Sequence, residues 1–112
     1  MSEWRSVSQL QEAIHRTAVA HGWWDRDRPI GEALMLAVTE LAEAMDAYRD
    51  GNPASGKIDG FTAMEEELVD TIIRILDLAG RMGFDLEGAL RAKMAYNETR
   101  PRRHGGKPAS SG

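Results

Sequence analysis

Cysteine is absent from the 112 residues. Its absence excludes a disulfide scaffold, thiolate zinc sites and a cysteine nucleophile together. Long apolar runs are missing too, so no segment approaches the roughly 20 apolar residues that a membrane-spanning helix needs. The opening Met1-Ser2-Glu3-Trp4-Arg5 lacks the charged and apolar regions of a signal peptide, and a cytoplasmic protein without a membrane partner is the expectation. Excess positive charge is lacking as well. A net charge of −4 and a pI of about 5.3 argue against a nucleic-acid partner. Finally, no stretch carries the apolar–polar alternation of a half-buried strand.

What is present suits one globular domain. Hydrophobic residues make up 42% and charged residues 29%, too ordinary a mixture for wholesale disorder. Charge is unevenly spread. Between Glu32 and Asp77 there are 11 acidic and three basic side chains, whereas from Arg91 onward six basic residues accompany one acid, Glu98. The anionic middle and cationic end either neutralise each other or serve a shared ligand.

Four segments have helical periodicity. The first runs from about Ser6 to His21, with Ser6 and Gln9 at capping-box spacing and Gly22 as its stop. The second begins near Pro29 and ends at about Asp50, before Gly51-Asn52-Pro53. Thr62 and Glu65 form a second capping-box pair, opening a helix that reaches about Met82. Asp85 caps the fourth, and Pro101 ends it. The expected fold is therefore all-α, an antiparallel four-helix bundle-like single domain over residues 1–101, with a basic, flexible tail over 102–112.

The carboxylates break the usual division of faces. On the second helix Leu34, Ala37, Val38, Leu41, Met45 and Tyr48 form an apolar arc, yet Glu40 falls at its margin among Ala33, Leu36, Ala37 and Ala47. Glu43 follows one turn later. On the third helix Glu67 and Asp70 border the arc of Met64, Leu68, Ile72, Ile75 and Ala79. At ~1.5 Å per residue, Glu43 and Glu40 stand roughly 10 and 15 Å before the intervening loop, and Glu67 and Asp70 roughly 8 and 12 Å after it. An antiparallel hairpin brings all four to one level. Such crowding calls for a cation: Arg74 neutralises one carboxylate, and a hard divalent metal with oxygen ligands neutralises more. Lys93, Asn97 and Arg100 share a stripe of the fourth helix. That helix returns antiparallel to the third, so Asn97 is expected about 18 Å along and level with Asp70, and the stripe suits a polyphosphate.

Glu40-Leu-Ala-Glu43, 23 residues and then Glu67-Leu-Val-Asp70, followed by Lys93-x3-Asn97-x2-Arg100, resembles the MazG-like all-α nucleoside triphosphate pyrophosphohydrolases. The resemblance implies cleavage of a nucleoside triphosphate to a monophosphate and pyrophosphate, with Mg²⁺ (or Mn²⁺) as cofactor, in a homodimer or homotetramer. Glu40, Glu43, Glu67 and Asp70 would be the catalytic metal ligands, one of them also activating water. Lys93, Asn97 and Arg100 would bind substrate, with Arg103 and His104 in the trailing basic stretch. Two other readings stand beside it: a phosphoribosyl-ATP pyrophosphohydrolase-like enzyme, and a non-catalytic helical interaction module.

Several residues have an ordinary alternative. Trp23 can stack on a nucleobase or, like Trp24, pack over a core edge or a subunit contact. Asp77 suits a salt bridge better than a ligand position, and His15 suits a structural place on the first helix. Met35 falls on the polar side of the second helix, where another subunit could cover it.

Overall fold

Three of the four described helices start where a side chain takes up a free amide group. In the computed structural model, which describes residues 3–102, the four are α1 (Val7–Ala20), α2 (Ile30–Arg49), α3 (Ala63–Met82) and α4 (Leu86–Glu98). The all-α class is as expected, and none of the described helices is long and apolar enough to cross a membrane. Ser6 caps α1 by accepting the Gln9 amide, but Gln9 Oε1 takes the Arg5 amide at 2.6 Å, so the box expected there is only half formed. Thr62 and Glu65 complete theirs. Asp85 caps α4 through the Gly88 amide. Pro29 is the N-cap of α2, one position outside the first turn. Gly83 closes α3 in the left-handed region at φ 71°, which only glycine enters without a Cβ penalty.

The α2–α3 connection is ordered. The Ala63 amide donates to Pro53 O at 2.7 Å and the Met64 amide to Asn52 Oδ1 at 2.9 Å, folding α3 back onto α2 as a hairpin. α1 packs on α3 at the other side. That approach is close: a Cβ on Gly80 would lie 2.6 Å from His15 Cβ.

Two expectations need correction. α4 rests on α1 and has no comparable packing with α3. Its start is claimed by α1, where the Ser8 amide donates to Glu87 Oε1 and Gln11 Nε2 donates to Phe84 O, both at 2.9 Å. Apart from Ala79, the apolar arcs are also not the core. Among the described residues the buried apolar side chains are Ala33, Ala44, Leu76 and Ala79, while Leu41 and Ile72 remain 53% and 50% exposed. Small alanines let the two helices approach, and the bulky side chains of both arcs are left outside the seam.

Candidate metal centre

Glu40 lies on the α2 side of the hairpin seam, and Glu67 and Asp70 lie one turn apart on α3. Each can bring a carboxylate oxygen within 4.8 Å of the others. All three are half-buried, so their charges are poorly screened by water. Burial is the main cause that pushes the Glu67 carboxyl up to about 7, and the charges of Glu43 and Asp70 add to it. Burial raises Asp70 as well, with the Glu40 charge next in weight. Glu43 is exposed and outside the trio, close enough to act on Glu67 through space.

One cation meets this cluster directly. Arg74, one turn beyond Asp70, donates from Nε to Glu40 Oε2 at 3.3 Å, and its guanidinium carbon stands 4.0 Å from the Trp23 ring centre. A single guanidinium leaves the three carboxylates with a negative excess. Hard oxygen donors at this spacing fit a divalent cation, which would offset the burial, and after it the repulsion, that raise Glu67 and Asp70.

Behind Arg74 a cavity of about 290 Å³ opens between α1 and α3, lined by Trp4, Ile14, His21, Trp23, Arg74 and Asp77 among others. Its volume falls just below the ~300–1,000 Å³ of small-molecule sites, which suits no more than one ring system. Asp77 is committed elsewhere. Buried, it accepts Trp24 Nε1–H and His15 Nδ1–H, the latter at 2.8 Å, so it is no part of the trio.

The cationic stripe of α4 does not reach the acids within the chain, because α4 follows α1. Lys93 and Asn97 are exposed. Lys93 Nζ and the Arg100 guanidinium stand 4.9 and 5.4 Å from the Tyr96 ring centre, and Arg100 Nη1 donates to Tyr96 Oη at 3.3 Å. Arg103 and His104 lie outside the described residues. Sequence reasoning missed the double engagement of Arg74 and the closure of Trp24 on Asp77. The signal available was the Trp23-Trp24 pair, which had to pack on something polar enough to satisfy an indole N–H.

Among known proteins, the chain is similar to a dATP/dGTP diphosphohydrolase of Salmonella phage PMBT28, 39% identical over 83 residues. That match covers 70% of this chain and 24% of the relative, so the chain spans about a quarter of the relative's length. No family model matches the chain. No solved structure matches it.

Proposed function

We propose that the chain is a MazG-like nucleotide pyrophosphohydrolase that cleaves deoxynucleoside triphosphates, dATP and dGTP first among them, to the monophosphate and pyrophosphate. The observation that carries this reading is the convergence of Glu40, Glu67 and Asp70 at ligand spacing on one hairpin. The base preference follows the similarity to the phage enzyme.

Glu40, Glu67 and Asp70 would hold Mg²⁺, or Mn²⁺ in its place. The ion supplies Lewis-acid polarisation of the phosphate and neutralises charge in the transition state. Glu43, exposed and outside the trio, keeps oxygen lone pairs free to orient a water and accept its proton. The base enters the cavity beside Trp23, and the small volume there restricts it to the ring rather than the whole nucleotide.

Phosphate binding by Lys93, Asn97 and Arg100 requires a second copy. The α2 and α3 arcs, with Leu34, Leu41, Ile72 and Ile75 exposed, form the apolar face that a homo-oligomer would cover. A partner's α4 then lies opposite the acids that its own chain's α4 does not reach. Larger assemblies of the same kind satisfy the same faces.

Pyrophosphate release from dATP and dGTP, measured with and without MgCl₂, tests the proposal. Metal-dependent release in stoichiometric amounts with the monophosphate is the expected result. No release from any deoxynucleoside or ribonucleoside triphosphate, with no rise in Tm on adding Mg²⁺, would leave the non-catalytic module as the better reading. Release from phosphoribosyl-ATP alone would favour the other enzyme.

A further inference from the structure

We propose that Arg74 is a displaceable counter-ion, a positioning residue that a metal entering the acid cluster releases from Glu40 and leaves on Trp23. The inference rests on the metal-site reading above. Arg74 has two partners of unequal strength. Its Nε–Glu40 Oε2 separation of 3.3 Å is long for a charge-assisted hydrogen bond, which normally closes to about 2.7–2.9 Å. Its guanidinium carbon, at 4.0 Å from the Trp23 ring centre, is well inside the ~6 Å range of a cation–π contact.

A divalent cation bound by Glu40, Glu67 and Asp70 competes for the Glu40 oxygens and repels the guanidinium. The weaker contact breaks first. The metal does not compete for the Trp23 ring, which Arg28 approaches less closely at 5.4 Å, so Arg74 stays against the indole and loses its neutralising carboxylate. Arg74 and Trp23 both line the cavity between α1 and α3, with Trp4 and His21. Metal occupancy therefore changes the surroundings of Trp23 and leaves Arg74 in a cavity wall whose carboxylate is Asp77.

The test uses the full chain, MgCl₂ alone as the probe, calorimetry for affinity and tryptophan emission for the relay. Emission of the wild type minus that of Trp23→Phe isolates the Trp23 share and is expected to change along the Mg²⁺ binding curve. Arg74→Gln removes the competitor, so Mg²⁺ should bind up to about fivefold more tightly, the limit set by ion-pair strengths near the surface. Arg74→Lys keeps the charge and should bind Mg²⁺ close to the wild-type affinity. Weaker Mg²⁺ binding by Arg74→Gln would overturn the proposal, because Arg74 would then be supporting Glu40 as a ligand. Should Arg74→Gln fail to show wild-type helicity by circular dichroism, the difference emission decides: Mg²⁺ binding with no Trp23 response overturns the relay. If the wild type binds no Mg²⁺ at all, the metal-site reading falls and the inference with it.

Discussion

Asp77 accepts the Trp24 indole N–H with both carboxylate oxygens, at 3.0 and 3.1 Å, tying the α1–α2 connection to the buried face of α3. His15 on α1 donates to the same carboxylate, and its ring meets that of Trp24 edge-on with centroids 6.2 Å apart. One buried acid thus joins three segments of chain. Arg81 stands 5.0 Å from the Trp24 ring centre, so the indole is held from a second side.

Asp77→Ala should therefore destabilise the fold by about 1–3 kcal/mol, since it leaves two half-buried donors without their acceptor, each at the lower part of the ~1–3 kcal/mol range. Asp77→Asn retains one acceptor oxygen and should cost less than half as much. Urea unfolding followed by circular dichroism measures both. Equal stability of Asp77→Ala and wild type would mean that the network contributes nothing to stability.

The raised Glu67 carboxyl predicts a pH dependence with a definite sign. Its ordinary value is 4.5 and its value in the fold is about 7, so the folded protein holds a proton that the unfolded chain has released. Stability from this group is complete below pH 4.5, declines across the interval up to 7 and is flat above it. Metal requires the ionised form, so Mg²⁺ affinity should rise about tenfold per pH unit within that interval and level off above it. Calorimetry in buffers of different ionisation enthalpy should register close to one proton released per Mg²⁺ near pH 6. A flat affinity from pH 5.5 to 7.5 would remove Glu67 from the ligand set.

Much of this could be read from residue spacing. Helix ends follow caps and breakers within a few residues, because Thr62, Asp85 and Gly83 act on adjacent backbone groups. The meeting of Glu40 with Glu67 and Asp70 was legible because one hairpin fixes both faces by a constant rise per residue. The place of α4 was not. It depends on which neighbour claims the first turn after Gly83, a choice made by Ser8 and Gln11 some 75 residues earlier in the chain, through contacts to Glu87 and Phe84. The apolar arcs misled for a different reason. Periodicity tells that Leu41 and Ile72 belong to one face, but it does not tell whether the same chain covers that face.

Asp70→Asn should raise the Tm of the metal-free protein while abolishing its response to Mg²⁺. The substitution removes a charge that the fold disfavours, through burial and the proximity of Glu40, and retains the side-chain shape. A gain of a few degrees is expected, given that ~1 kcal/mol shifts Tm by roughly 4–8 °C in a domain of this size. Differential scanning fluorimetry at pH 7.5, with and without MgCl₂, reads both effects at once. If the variant is still stabilised by Mg²⁺ as strongly as the wild type, Asp70 is no ligand.

Leu41→Lys tests what covers the apolar face. Leu41 is 53% exposed within the chain, so a lone chain should tolerate lysine there within about ±0.5 kcal/mol. A face buried between two copies behaves oppositely, because each copy would insert an unpaired charge into an apolar contact. Light scattering should then give a wild-type mass that is a multiple of 12.4 kDa and a variant mass shifted towards a single chain. The wild-type Tm should also rise with protein concentration, as mass action requires of an assembly that stabilises its own fold, and the variant should lose that dependence. A wild type that stays monomeric at every concentration would leave α2 and α3 uncovered by a second copy, and the stripe of Lys93, Asn97 and Arg100 could not then serve the acid cluster.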